Sequence, residues 1–195
     1  MYLMNSDGTN IRPLAGSVEV RSAASWSPDG KRVAVSASEN ERAHVLLVPV
    51  DGGPSVRLLD TPSYNPVWSQ DGQLIVYSQP VRGSQMVLRA ITPNKRPVPI
   101  PEIVVPYTAS APYRFVPGRR ELIFMEDAAS VPTLGAGPRN YNFYWIDLIT
   151  GQERRLTDLK PGYLTQSFDI SPDGKQIIFD RLRDNSNLVL MDLGR

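Results

Sequence analysis

One pattern of hydrophobic and polar positions recurs four times along the chain. Each copy has an apolar or aromatic anchor residue, then a short polar turn, then a strand with alternating apolar side chains. The anchors are 42, 47 and 55 residues apart, at Trp26, Trp68, Phe115 and Ile170. The positions seven and nine residues after the anchors are apolar, with the pairs Val33 and Val35, Ile75 and Tyr77, Leu122 and Phe124, and Ile177 and Phe179. Alternation in a shared register predicts the same β-strand in every copy.

The segment after each anchor has the chemistry of a hairpin turn. Three copies read Ser-Pro-Asp-Gly or Ser-Gln-Asp-Gly, at residues 27–30, 69–72 and 171–174. Proline fixes φ near −65°, an Asp side chain bonds its own backbone, and Gly supplies a positive φ. The third copy moves its glycine by one place, so we expect a distorted turn at Gly118.

Two further strands are predicted in each copy. A third strand is predicted at residues 45–48, 86–88, 143–146 and 188–191, and an outer strand at 56–59 and 154–157. The outer strand is weak at 96–99, where two prolines suit only a sheet edge. Four strands in a unit of roughly 40 to 50 residues predict the blades of a β-propeller. An irregular β-sandwich is the alternative, but sandwiches lack a recurring phrase in register.

We therefore expect an all-β fold, a β-propeller of four-stranded antiparallel blades over residues 1–195. The blade boundaries are a partial blade at 1–15, blades at about 16–60, 61–102 and 103–158, and a last blade at 159–195 that lacks its outer strand. The partial blade begins with a strand at 2–4 and continues with one at 10–14. The chain either closes on itself as a four-bladed ring with Asn10–Leu14 as a clasp, or forms the C-terminal part of a larger ring. We favour the larger ring.

Composition narrows the function classes. The chain has 195 residues, of which 41% are hydrophobic, and its 21 basic and 20 acidic side chains nearly cancel. This balance argues against a polybasic nucleic-acid surface. No apolar stretch is long enough to predict a membrane span, and the first residues do not have the pattern of a signal peptide. The absence of cysteine excludes disulfides, thiolate catalysis and thiolate metal sites, and it leaves the compartment open.

The phrase Trp-Ser-Pro-Asp-Gly-Lys at residues 26–31, followed by an apolar strand, resembles the WD-like repeats of TolB-type β-propellers. It differs from the ordinary WD repeat, which has Gly-His and Trp-Asp pairs. The resemblance covers nearly the whole chain and specifies the blade type rather than an activity. It implies function by protein contact, a periplasmic or extracytoplasmic location, and a ring of six or more blades. It also implies that an effector domain can lie upstream, and related propellers gate prolyl-oligopeptidase-like peptidases.

Residues that could support catalysis or hold a cofactor are few. The only histidine, His44, begins a third strand, and we interpret it as a structural residue with a satisfied ring. No Gly-x-Ser-x-Gly elbow occurs. A loop with Asp180, Asp184, Asn185 and Asn187 could hold Ca²⁺, but its spacing is not that of a regular calcium loop, so we interpret it as a polar loop. Gly135 and Gly137 lie in an insertion at about 127–141 and do not form a phosphate loop. We predict no enzyme activity, metal or cofactor for this segment.

A binding face is the remaining candidate site. In a propeller, the loops that enter the inner strands and the loops from second to third strands gather on one face. Tyrosine recurs in the first set and arginine in the second, and both are favoured at interaction hot spots. Packing of the tyrosines between blades is the alternative. The predicted ligand- or partner-binding residues are Arg21, Tyr64, Asn65, Arg82, Tyr107, Arg139, Tyr163, Gln166, Arg181 and Arg183.

The functional hypothesis is a non-catalytic interaction or sensor module that binds a protein or a small ligand on this face. No nucleic acid is expected as a partner of this segment. The alternative is the propeller domain of a larger enzyme, a prolyl-oligopeptidase-like peptidase or a lyase, whose catalytic part lies outside the segment.

Overall fold

The computed structural model shows a succession of antiparallel β-sheets. It describes residues 1–14, 19–39, 42–81, 85–107, 112–127, 141–160 and 165–180. Every helix or strand that it assigns within these ranges is a β-strand, which confirms the all-β prediction.

The first elements form a hairpin and a complete sheet. In the N-terminal hairpin, β1 (Tyr2–Leu3) pairs with β2 (Arg12–Pro13). Sheet I has its inner strand in two pieces, β3 and β4, which both pair with the second strand, β5. Its strands are β3 (Glu19–Val20), β4 (Ser25–Trp26), β5 (Arg32–Glu39), β6 (Arg42–Pro49) and β7 (Val56–Arg57).

Three further sheets follow the same order from inner to outer strand. The strands of sheet II are β8 (Tyr64–Trp68), β9 (Ile75–Pro80), β10 (Gln85–Ile91), β11 (Pro97–Val98) and β12 (Val104–Pro106). Those of sheet III are β13 (Tyr113–Phe115), β14 (Glu121–Asp127), β15 (Tyr141–Asp147) and β16 (Glu153–Arg155). The described part of sheet IV contains β17 (Phe168–Ile170) and β18 (Ile177–Phe179), and the third strand predicted at 188–191 lies outside the described residues.

The outer strand of sheet II extends further along the chain than the sequence pattern indicated. Both β11 and β12 pair with β10, one after the other along its length. Residues 104–106 therefore belong to sheet II. The boundary between the second and third blades lies after them, and not at residue 103 as the sequence pattern predicts. Proline has no N–H for a ladder, and the prolines at 97, 99 and 101 divide this edge strand into two pieces.

The two apolar positions after each anchor pack against the preceding sheet. Ile75 and Tyr77 of sheet II share a buried cluster with Ala34 and Val45 of sheet I. The corresponding pairs also face the preceding element, with Val33 and Val35 toward the hairpin, Leu122 and Phe124 toward sheet II, and Ile177 and Phe179 toward sheet III. The predicted register is confirmed in all four copies, and apolar cores fill the spaces between successive sheets.

Hairpin turns join the inner and second strands at one end of the sheets. In three copies a serine hydroxyl donates to the aspartate two residues later at 2.6 Å, in the pairs Ser27–Asp29, Ser69–Asp71 and Ser171–Asp173. A glycine with positive φ follows each aspartate. In the third copy the positive φ, 71°, falls one place earlier, at Gly118. A glycine there, directly after proline, is typical of a type II turn, so the predicted distortion is a change of turn type.

Candidate binding face

The end of the sheets opposite to the hairpin turns carries those predicted binding residues that the structure describes, and we call it the loop face. Antiparallel pairing places the start of each inner strand beside the end of its second strand. Tyr64 pairs with Ser78 near the end of β9. The Arg21 N–H donates to the Ser36 carbonyl at 2.7 Å, and the Gln166 N–H donates to Asp180 just after β18. The structure thus places these predicted residues at the same end of their sheets.

Two tyrosines meet on the loop face. The rings of Tyr64 and Tyr107 lie edge to face, with centroids 5.9 Å apart and an interplanar angle of 83°. Tyr64 begins β8 and is half-buried against the core between sheets II and III. Tyr107 follows β12 and is 55% exposed. Tyr64 therefore packs between sheets, as the alternative interpretation expected. Tyr107 presents its ring to solvent, and its contact with a partner stays a prediction.

Asn65 follows Tyr64 in β8. It has a φ of 52° at a bulge in β8, and only 4% of it is exposed. Its carbonyl accepts a hydrogen bond of 2.5 Å from the Tyr113 hydroxyl. Burial raises the pKa of Tyr113 far above its ordinary value, so this phenol stays protonated and remains a donor. The burial of Asn65 indicates that it fixes the backbone under Tyr64, and its contact with a partner stays a prediction.

Arg21 and Gln166 sit apart from the tyrosine pair along the chain. Arg21 lies between β3 and β4, within the divided inner strand of sheet I rather than in a loop before it. Its exposed guanidinium is 2.9 Å from a Glu19 carboxylate oxygen. Near Gln166, the Asp180 carboxylate accepts backbone N–H groups at 2.7 and 3.2 Å. Asp180, one of the candidate calcium ligands, therefore already accepts hydrogen bonds from the backbone.

The other residues predicted for this face lie outside the described ranges. They are Arg82, Arg139, Tyr163, Arg181 and Arg183. The other calcium candidates, Asp184, Asn185 and Asn187, and the glycines at 135 and 137 also lie outside the described ranges.

His44 is a buried residue of β6 with close polar neighbours. Its Nδ1 lies 3.2 Å from the Thr61 carbonyl, and the Arg57 guanidinium is 2.7 Å from its Nε2. The ring is therefore satisfied inside the sheet, as the sequence analysis predicted. In the described part of the chain, no group of three or more His, Asp or Glu side chains could hold a metal ion. Nor does any helix there have the length and apolar character needed to cross a membrane.

At the turn end, a polar contact joins sheets II and III. The Arg120 guanidinium lies 2.8 Å from Asp71 and donates to the Gln73 side chain at 2.7 Å. The Gly118 N–H donates to the side-chain carbonyl of Gln70. Sequence reasoning missed this contact, and the one available signal was the arginine pair at 119–120.

These hydrogen bonds also set the charge of the turn aspartates. At Asp71, partial burial acts to raise the pKa, but hydrogen bonds from Ser69, Gln73 and Arg120 outweigh it and lower the pKa below its ordinary value. At Asp29 and Asp173, the serine hydroxyl lowers the pKa most, followed by a backbone N–H two residues later. All three carboxylates are thus held ionised at neutral pH.

Comparison with known proteins supports the fold. No protein-family model matches the chain, and no curated protein does. TolB from Acinetobacter baumannii superposes with a TM-score of 0.73 at 20% identity, over 95% of this chain and 44% of that protein. A protein described as TolB from Agrobacterium tumefaciens gives a TM-score of 0.66 at 22% identity, over 93% of this chain and 65% of that one. The β-propeller domain of the Trilobed protease from Pyrococcus furiosus gives 0.53 at 14%, over 84% and 50%.

The architecture is therefore a partial β-propeller similar to that of TolB. The chain spans about half of the length of these solved proteins. At these identities the similarity establishes the fold and leaves activity to be argued from the chain's own residues.

Proposed function

We propose that this partial β-propeller is a non-catalytic interaction or sensor module that binds a protein or a small ligand through its loop face. The observation that carries the proposal is the edge-to-face pair of Tyr64 and Tyr107, of which Tyr107 is half exposed. Tyrosine offers a large, rigid contact area with a polar group at its end, which favours it in binding sites.

The surroundings of the pair support the proposal. Val81 follows directly after β9 and is 45% exposed, and Tyr107 follows directly after β12. Both strands pair with β10, so an apolar and an aromatic side chain project at the same end of three adjacent strands. The Tyr113–Asn65 hydrogen bond holds the backbone beneath Tyr64. A scaffold fixed in this way reduces the entropy lost when a partner binds.

The remaining predicted contacts complete the proposed face. Arg21 and Gln166 are proposed to form its margins, and the arginines and tyrosine outside the described ranges are proposed to extend it. Any activity would come from an effector domain attached to the module.

Binding can be tested without knowing the natural partner. The full chain would be immobilised and used to select binders from a random peptide library, and the affinity of each selected peptide would be measured. We expect Tyr107→Ala to weaken binding by about tenfold or more, as for an aromatic hot spot, without lowering the melting temperature. Tyr2→Ala is the control, because this tyrosine is also exposed, at 74%, but lies on the N-terminal hairpin. Peptides that bind Tyr107→Ala as tightly as the unmodified chain would contradict the proposal.

The second candidate is the propeller domain of a larger peptidase or lyase. The observation in its favour is the similarity to the propeller of the Pyrococcus furiosus protease. Sequencing the DNA on both sides of the coding segment separates the two. A reading frame that continues into a hydrolase domain would favour the enzyme, and one that continues into a kinase or DNA-binding domain would favour the sensor.

A further inference from the structure

Two tryptophans occupy the same place in the repeat but have different surroundings. Trp68 is the anchor of sheet II and is 6% exposed, because sheet I covers it. Trp26 is the anchor of sheet I and is 49% exposed. The N-terminal hairpin covers Val33 and Val35 of sheet I but leaves the Trp26 indole open.

The site that receives Trp68 is built from three places in sheet I. The Ser25 hydroxyl accepts the Trp68 backbone N–H at 3.0 Å. The Arg32 guanidinium lies over the indole, 5.7 Å from its centroid, and Ala34 joins the same buried cluster. Counted from the anchor of sheet I, these residues stand one place before it, six places after it and eight places after it.

The same three places in sheet IV line an open groove. Counted from the anchor Ile170, they are Asp169, Gln176 and Ile178. All three line a surface groove of about 710 Å³ on this sheet. Ile178 is 74% exposed, although a side chain at its place lies in the core between sheets in each of the other three copies. Sheet IV thus presents the receiving half of the interface, and Trp26 presents the inserting half.

We propose that the groove of sheet IV receives Trp26 of a second copy of this chain, so that copies associate head to tail. The contact repeats the interface between sheets I and II. The Asp169 carboxylate accepts the Trp26 backbone N–H as Ser25 accepts that of Trp68, Gln176 covers the indole, and Ile178 packs beside it. Such a heterologous contact builds a closed ring if its rotation closes.

The second copy is the occupant that the geometry favours. Trp26 and Ile178 are both exposed in the same molecule, so the chain's own sheet IV does not cover its own sheet I in this structure. The two surfaces match because, at each internal interface, the side chain eight places after one anchor shares a core cluster with the anchor of the next sheet, and Ile178 and Trp26 hold these two places.

The experiment measures molecular mass by light scattering over a range of concentrations. We expect the full chain to form dimers or larger closed assemblies. Trp26→Ala removes the inserting group and Ile178→Lys places a charge in the groove, so each variant should lose the association and give the mass of one chain. Ile149→Lys is the matched control, because Ile149 is 79% exposed and lies in the turn between β15 and β16. This variant should associate like the unmodified chain.

A mixing experiment tests the head-to-tail arrangement. The Trp26→Ala chain keeps its groove and the Ile178→Lys chain keeps its tryptophan, so an equimolar mixture should restore dimers through one intact contact. A symmetric contact would not be restored in this way. The proposal is overturned if the unmodified chain is a monomer at all concentrations, or if both variants still associate. A monomer whose Trp26 fluorescence is protected from acrylamide quenching would instead indicate closure within one chain.

Discussion

The charge of the turn aspartates is decided at the scale of single residues. Asp29, Asp71 and Asp173 occupy the same place in three turns, and each accepts a hydrogen bond from a serine hydroxyl. Asp71 differs because Arg120 of the next sheet also contacts it. A carboxylate whose pKa is lower in the folded chain stabilises the fold at neutral pH. The stabilisation is complete above the unfolded pKa of about 3.9 and is lost as the pH falls through the lower folded value.

Replacement of Asp71 should therefore change the pH dependence of stability. We expect the free energy of unfolding of the unmodified chain to fall as the pH drops below about 4, and Asp71→Asn to reduce that fall. At pH 7 the exposed ion pair with Arg120 is worth about 0.2–1 kcal/mol, so the substitution should cost that order of stability through the pair. Urea unfolding at pH 7 and pH 3 measures both effects. Asp158→Asn is the control, because this exposed carboxylate pairs with Arg155, three residues earlier in the chain. An equal pH dependence in Asp71→Asn and the unmodified chain would contradict the prediction.

At the scale of elements, the third turn shows how far a degenerate repeat can vary. Residues 116–119 lack the serine and aspartate of the other copies, yet the Arg119 N–H still donates to the Val116 carbonyl at 3.1 Å. The turn keeps its length because Gly118 supplies the positive φ one place earlier. Its N–H also donates to Gln70, which ties this turn to that of sheet II.

Gly118→Ala should destabilise the chain. A residue with a side chain is strained at a φ of 71°, and the cost of this strain is about 1 kcal/mol. Gly53→Ala is the matched control, because its φ is not positive and an added Cβ would meet its neighbours at ordinary contact distances of 3.5 to 3.6 Å. Urea unfolding of both variants gives the two costs. A loss at Gly53 as large as that at Gly118 would show that the positive φ is not the cause.

Some elements could be predicted from the sequence and others could not, for physical reasons. The turns and the strands after them are local, since proline, aspartate and glycine fix a hairpin by their own chemistry. The register followed from alternation after each anchor. The outer strand of sheet II is divided because two separate segments, β11 and β12, both pair with β10. The local sequence does not show that β10 is long enough to pair with both. The contact of Arg120 with Asp71 depended on how two sheets face each other, and the burial of Asn65 depended on a bulge in β8.

At the scale of the whole molecule, the stacking of sheets decides what an anchor residue contributes. Trp26 and Trp68 stand in nearly the same local sequence, but only Trp68 has a full sheet in front of it. Their difference in exposure could not be predicted from the repeat itself. It follows from the hairpin, which covers only part of the front of sheet I.

The two tryptophans should therefore differ in their effect on stability. Trp68→Ala leaves a cavity in the core between sheets I and II and should cost about 3–5 kcal/mol. Trp26→Ala removes a half-exposed side chain and should cost much less. Urea unfolding at low concentration, where chains do not associate, measures both. Similar losses for the two substitutions would mean that Trp26 is covered in solution.

The packing of each sheet against its neighbours also determines where local unfolding begins. Among the described residues, each core cluster joins one sheet to the element next to it, so stability is coupled along the stack as in a one-dimensional array. Sheet IV has one such neighbour among the described elements, whereas sheet II has two. The stack should therefore fray from its final sheet inward, and the amide protons of β9 should exchange with solvent later than those of β18.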